Sequence, residues 1–234
     1  WRDDSHEREA AEAVRAALGG VFVTTSAEVL PQIKEFERFS TACVNAYVGP
    51  IVSRYLARLR GRLAEAGYAG PVFVILSHGG VAPVEEAARL AAGTALSGPA
   101  GGVAAGVALA ERGLGDDLIT FDVGGTSTDT ALVQDGEAAL GRGRTVAGER
   151  IALESLDIVT LGAGGGSIGH VGAAGTLQVG PRSAGAVPGP VAYGQGGTEP
   201  AVTDANLVLG YLDAANFLGG ARKLDRDGAL AAFE

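Results

Sequence analysis

The sequence predicts an α/β fold, because short apolar runs of strand character alternate with segments of helical periodicity. Leu118, Ile119 and Phe121 read as a buried strand, with an apolar return from Thr128 to Val133 across Gly124-Gly125 and a further turn at Asp135-Gly136. Upstream, Val72-Phe73-Val74-Ile75-Leu76 is a continuous apolar run that opens into Ser77-His78-Gly79-Gly80, the pattern of a buried strand ending in a glycine loop and a plausible pocket wall.

The remaining elements follow in order. Asp3, Asp4 and Ser5 offer cap oxygens for a first helix with an Ala10, Val14, Leu18 stripe that Gly19-Gly20 ends, and Val21 to Thr24 reads as a short strand. From about Phe36 a long helix presents Cys43, Tyr47, Ile51, Tyr55, Leu59 and Leu63 at i, i+4 spacing, with Gly49-Pro50 as a predicted kink. Arg54, Arg58, Arg60 and Arg62 fall mostly off that stripe and read as a solvated face. A helix is expected from Pro83 to Leu90, and a small-residue helix to Arg112 with Ser97 as cap and Pro99 in its first turn. Beyond Gly141 glycine and proline dominate, yet interspersed Val, Leu and Ile predict ordered loops around a site, until Thr203 caps a helix with Leu207, Val208, Tyr211 and Leu212 facing inward.

Composition bounds the function. Glycine occupies 38 of 234 positions without a collagen-like period, while the hydrophobic fraction of 47% is that of a globular chain, so the glycines belong to backbone-lined loops. A formal charge of −9 argues against nucleic acid or an anionic membrane as partner, and no apolar run approaches a membrane span. Cys43 is the one cysteine, which excludes an intrachain disulfide and a cysteine-based zinc site and fits a reducing cytoplasm. His6, His78 and His170 lack metal-ligand spacing; His78, in its glycine loop, reads as hydrogen-bonded structure before a proton carrier, and the role of His170 stays open. The absence of Met, the start at Trp1 and the helical pattern still running at Phe233-Glu234 read as a piece cut from a longer protein.

The chemistry concentrates in Asp122-Val123-Gly124-Gly125-Thr126-Ser127-Thr128-Asp129. Glycines let backbone N–H groups approach phosphate oxygens, the three hydroxyls add hydrogen bonds, and a carboxylate can hold a hydrated Mg²⁺. An ordinary Gly-Gly hairpin needs no acid at each end, which favours the phosphate reading. A second glycine loop, Leu161-Gly162-Ala163-Gly164-Gly165-Gly166-Ser167, is expected to share a cleft with Asp122 and Thr126, since two backbone-lined loops are entropically costly unless something approaches them.

Together, Phe121 to Asp129, Leu161 to Ser167 and Val179 to Gly210 resemble the ATP-dependent hydantoinase A and 5-oxoprolinase family, also related to an acetone carboxylase subunit. The resemblance covers nearly the whole chain and implies the actin and sugar-kinase type of ATPase, two ribonuclease-H-like lobes with nucleotide between them. It further implies that the amino-terminal lobe, with its own phosphate loop, is missing here. Residues 1–117 would then be a helical and α/β flank that includes part of the lobe, and 118–234 would hold the phosphate hairpin and glycine-rich region of the same hydantoinase A-type domain. By position, Asp122 would organise Mg²⁺ or its water, with Gly124, Gly125 and Thr126 on the terminal phosphates of ATP and Ser127 adding a hydroxyl. Thr128 and Asp129 would brace the hairpin or meet the metal, while Gly164, Gly165, Gly166 and Ser167 would approach nucleotide or substrate.

The implied reaction opens a cyclic amide after its oxygen is phosphorylated, with a hydantoinase B-type subunit or domain as partner. His170, Gly172 and Ala192 depart from the residues common in the family, which leaves the substrate open. An acetone carboxylase-type subunit, a small-molecule kinase sharing Asp-x-Gly-Gly-Thr, and a non-catalytic nucleotide-binding module remain as alternatives.

Overall fold

The computed structural model describes residues 2–234. In chain order these form α1 (Ser5–Ala17), α2 (Ser26–Val29), α3 (Glu35–Glu65), β1 (Phe73–Ile75), β2 (Val81–Pro83), α4 (Val84–Arg89) and α5 (Ser97–Glu111). There follow β3 (Leu118–Val123), β4 (Thr128–Gln134), β5 (Glu137–Ala138), β6 (Leu140–Val146), β7 (Glu149–Leu156), β8 (Val159–Leu161), β9 (Ser167–Val171) and β10 (Leu177–Ser183), then α6 (Val202–Val208) and α7 (Arg226–Ala231). The chain forms two compact units: the first runs to Leu118 and takes up Leu132–Asp157, and the second holds Ile119–Ala131 and Ile158–Glu234. Among the described residues no helix is long and apolar enough to cross a membrane.

The first unit is organised by α3, which runs through Pro50 and buries the face opposite to the one its apolar spacing predicts. Arg38, Thr41, Ala42, Asn45, Gly49 and Leu56 are buried, while Cys43, Tyr47, Ile51 and Tyr55 are exposed, Tyr47 at 81%. Thr41 and Asn45 hold the interior through hydrogen bonds made there, whereas Arg38 Nε and Nη1 are buried without a partner. The Asn45 amide donates to Thr24 Oγ1 (3.0 Å) and to the Arg89 carbonyl (2.8 Å), and its oxygen accepts from Ala92 N–H (2.9 Å). Thr41 Oγ1 donates to the Glu37 carbonyl (2.7 Å) and accepts from Ala152 N–H (2.9 Å), fastening β7 to α3. At Gly49 the Phe22 ring lies where a Cβ would stand. The arginine face is solvated, with Arg54, Arg58, Arg60 and Arg62 all exposed.

Several other expectations are corrected in this unit. α1 buries Ala11 and leaves Val14 and Leu18 exposed, because Glu7, one turn before Ala11, is tied to α2 by Ser26 Oγ (2.8 Å) and Ala27 N–H (3.0 Å). Burial alone would raise the Glu7 carboxyl, but these donors and the Arg38 charge hold it below its ordinary value. Val21 to Thr24 is not a strand. Instead of a buried strand, β1 forms a two-stranded antiparallel hairpin with β2, and Phe73 is exposed. Ser97 is the first residue of α5, and its cap is Leu96 in the left-handed region at φ 60°. The segment after Gly141 is largely strand: β6 pairs antiparallel with β7 across Ala147 and Gly148, whose φ values of 51° and 88° fit the tight turn that a two-residue hairpin needs. Leu56, Leu76, Ala82, Val84 and Ala87 form one apolar core cluster of this unit.

In the second unit β3 and the start of β4 are hydrogen-bonded neighbours, and β4 pairs antiparallel with β8 through Thr128↔Leu161, Asp129↔Thr160 and Thr130↔Val159. The predicted hairpin across Gly124-Gly125 is therefore present, although Ile119 and Phe121 are exposed where a buried strand was expected. β9 and β10 form a second hairpin with an irregularity between Val179 and Ser183. The cap of α6 is Ala201, two residues before Thr203. Leu207 packs with Ala192, Leu224 and Ala229 as this unit's core, while Tyr211 stays exposed.

Asn45→Ala is expected to lower stability by about 2–3 kcal/mol, since it strands the buried Ala92 N–H and removes the amide donor of the part-buried Arg89 carbonyl. Urea unfolding should show this as a lower midpoint, with Arg58→Ala close to neutral.

Candidate functional site

The turn between β3 and β4 is closed by Gly124 N–H donating to the Ser127 carbonyl at 2.8 Å. It is laid backbone to backbone on the loop between β8 and β9. Gly165 N–H donates to the Gly124 carbonyl (2.9 Å) and Gly166 N–H to the Gly125 carbonyl (2.7 Å), while Thr128 Oγ1 donates to the Ala163 carbonyl (2.5 Å). Two of the glycines are explained by this seam. A Cβ on Gly164 would lie 2.7 Å from both Gly124 O and Ser127 N, and one on Gly166 would lie 2.9 Å from Gly125 O. Gly125 has nothing within 4 Å of such a Cβ, so its open space faces outward.

Further anchors hold the glycine loop from behind. Ser167 is fully buried, and its hydroxyl accepts from Gly164 N–H (2.8 Å), so it acts as a brace of the loop. Thr203 clamps the Gly165 carbonyl twice, through its N–H (2.8 Å) and its hydroxyl (2.7 Å). Asp204, also fully buried, accepts from Val191, Ala192 and Ala201 N–H at 3.2, 2.7 and 2.8 Å, gathering the Gly/Pro-rich stretch onto the start of α6. Sequence reading gave Thr203 and Asp204 capping and dipole roles. The signal it passed over was a Thr-Asp pair directly after a long glycine-rich stretch whose amides need acceptors.

The other predicted residues can be placed on this frame. Asp122, Gly124, Gly125 and Thr126 are exposed, Ser127 is half-buried and Thr128 buried. Among the described residues, the Asp122 carboxylate has no hydrogen bond or ion pair, and the N–H groups of Gly125 and Thr126 donate to no backbone carbonyl. Asp129 Oδ1 accepts from Thr160 Oγ1 at 2.5 Å, which fixes the carboxylate at the far side of the turn. No cluster of three or more carboxylate, imidazole or thiol groups exists among the described residues. This donor set, free amides and one or two carboxylates, fits a hydrated Mg²⁺ carried on phosphate oxygens, a cation that keeps several waters and needs no all-protein cage.

His78 lies in the first unit, exposed, with Nδ1 accepting from Gly80 N–H at 3.1 Å. His170 stands on β9 opposite Gln178, and its Nδ1 is buried without a hydrogen-bond partner. Ala192 is fully buried under the Asp204 clamp, and at Gly172 a Cβ would meet the Gln178 side chain at 2.9 Å.

A model of the hydantoinase/oxoprolinase family matches residues 38–234. The chain belongs to this family. It is 46% identical over 231 residues to caprolactamase subunit alpha of Pseudomonas jessenii, covering 99% of this chain and 33% of that protein. It is 40% identical over 209 residues to 5-oxoprolinase 1 of Arabidopsis thaliana, covering 88% of this chain and 16% of that protein. The crystal structure of the ATP-dependent caprolactamase from Pseudomonas jessenii superimposes with a TM-score of 0.76 at 46% identity, covering 99% of this chain and 34% of that one. A nucleotide-free acetone carboxylase does so with a TM-score of 0.78 at 30% identity, covering 98% and 33%. The mixed α/β fold is thus that of family members, and the chain spans about a third of the length of caprolactamase subunit alpha.

Gly164→Ala is expected to cost about 1–3 kcal/mol, because the new methyl group meets backbone that cannot turn aside. Gly125→Ala should be nearly neutral in the same thermal unfolding measurement.

Proposed function

We propose that this chain is the phosphate-turn portion of an ATP-dependent cyclic-amide hydrolase of the hydantoinase A or 5-oxoprolinase type. The observation that carries the reading is the exposed Gly124 to Ser127 turn, with free amides and an unengaged Asp122, locked onto the Gly162 to Ser167 loop. The kinship to an ATP-dependent caprolactamase and to a 5-oxoprolinase supports the nucleotide and the amide substrate. We place the second unit as part of a ribonuclease-H-like lobe, with the opposing lobe and a hydantoinase B-type partner supplied by the rest of the assembly; that relatives are named as subunits supports this. The exposed free thiol of Cys43 fits a reducing cytoplasm.

In this reading the turn's amides and the Thr126 and Ser127 hydroxyls hold terminal phosphate oxygens, and Gly164, Gly165, Gly166 and Ser167 keep the turn from yielding. Asp122, with Asp129 behind it, positions the hydrated cation. When bound, magnesium ATP supplies the phosphoryl group that makes the amide carbon open to water. The chain's task is to fix where charge spreads during transfer, with donors already in place. A second reading, a subunit of an ATP-dependent ketone carboxylase, is supported by the 0.78 TM-score to acetone carboxylase.

ATP hydrolysis by the full-length parent decides between them: stimulation by caprolactam, 5-oxoproline or a hydantoin supports amide opening, and stimulation only by acetone with bicarbonate supports the carboxylase. Asp122→Asn in that parent should fold normally and lower turnover at saturating Mg²⁺ by about a hundredfold or more, because the amide lacks the charge that holds a hard cation. The 234-residue chain alone should show no lactam-dependent turnover in a steady-state assay, since its turn encloses the phosphate from one side.

A further inference from the structure

Beside the glycine loop, the second unit holds a cavity of about 420 Å³ that the phosphate reading leaves unused. Ile168 and Pro188 give it apolar walls, and Arg182 and Glu199 are its charged side chains. These two form a bidentate pair, with Nη2 to Oε1 at 2.5 Å and Nη1 to Oε2 at 3.3 Å. The floor is a crossing of backbone that only glycine permits: a Cβ on Gly197 would stand within 3 Å of both the Gly189 carbonyl oxygen and the Pro190 carbonyl carbon, and Gly189 itself has φ 79°. The cavity is therefore preformed.

Its position relative to the phosphate turn is fixed by two hydrogen bonds. Ala184, in the cavity wall, donates to the Gly166 carbonyl at 2.8 Å, and Gly166 donates to the Gly125 carbonyl at 2.7 Å. Ile168, another wall residue, follows Ser167 directly in sequence. A small molecule lodged here sits one loop's thickness from the turn assigned to the phosphates.

Charge and hydrogen-bond capacity select its class. The paired cation and anion cancel, so the site has no preference for a charged guest. Arg182 has five donors and spends two, and Glu199 keeps acceptor capacity, so a donor and an acceptor stand side by side. In a small ring the amide is held cis, with N–H and C=O on the same edge. Such an edge meets a neighbouring donor and acceptor at once, the oxygen toward Arg182 and the N–H toward Glu199. The pair is largely solvent-exposed, so little stability is lost if it opens to admit a ligand.

We infer that the Arg182–Glu199 cavity is the acceptor subsite, binding an uncharged lactam by its cis-amide edge in preference to a lactam that carries a carboxylate. This rests on the amide-opening reading above. With the Arg182 charge already matched by Glu199, the carboxylate of such a lactam finds no counter-ion to replace its hydration, which gives the site its discrimination.

The test is the steady-state kinetics of the full-length parent at saturating Mg²⁺-ATP, with caprolactam and 5-oxoproline as alternative substrates. Arg182→Gln and Glu199→Gln should each raise KM for caprolactam by about tenfold or more, the loss of a charge-assisted hydrogen bond, with a much smaller change in kcat and an unchanged KM for ATP. Glu199→Gln should also shift the kcat/KM ratio toward 5-oxoproline. Lactam-dependent turnover with an unaltered caprolactam KM in both variants overturns the subsite alone. An equal rise in the KM for ATP also overturns it, because the pair would then be serving the loop. A wild-type parent whose ATP hydrolysis no lactam stimulates overturns the amide-opening reading, and the subsite with it.

Discussion

Two amide-to-carbonyl hydrogen bonds, Gly165 to Gly124 and Gly166 to Gly125, join segments some forty residues apart, and the geometry of the candidate site follows from them. They use the turn's carbonyls for structure and leave the Gly125 and Thr126 amides without a backbone acceptor, and unspent N–H groups are what an anion can meet. The seam tolerates no side chain at Gly164 or Gly166, and its far side is gripped by Thr203. One short stretch of backbone is thus open at Gly125 and closed at its seam with Gly164 and Gly166.

This division explains what could be read from sequence and what could not. The hairpin was legible because strand, Gly-Gly and strand form a local pattern, and its partner loop was legible because glycine-rich loops need a reason. Their meeting was expected through a ligand. The structure brings them together directly, so Gly164 and Gly166 answer first to the backbone of the β3–β4 turn. Ser167 looked like a further phosphate hydroxyl, but a hydroxyl also satisfies a buried amide, and sequence alone cannot separate the two uses.

The long helix failed differently. Periodicity identified α3 and placed it within a residue or so of its start, but selected the wrong face, since Cys43, Tyr47, Ile51 and Tyr55 form a better apolar stripe than Thr41 and Asn45. Burial there was decided by hydrogen bonds to Thr24, Arg89, Ala92 and Ala152, partners spread over more than a hundred positions. A hydropathy pattern carries no information about such partners. The Ala147-Gly148 turn was local and could have been found: an Ala-Gly pair at the centre of a hairpin is a weaker signal than Asp-Gly, but Arg144 to Val146 pair in register with Glu149 to Ile151 on either side of it.

The dependence of Gly165 on Thr203 has a consequence for the order in which the chain assembles. Hairpin β3–β4 can pair as soon as Val133 is made, but Gly165, whose N–H supports it, does not have its own carbonyl held until Thr203 has been synthesised, seventy residues later. During synthesis the turn must therefore exist for a time without its support, and contacts of such long sequence separation are the slow ones to close. The turn is completed from its carboxyl-terminal side, so nascent chains ending before α6 carry the Asp122 to Asp129 motif in their sequence while lacking the clamp that shapes it.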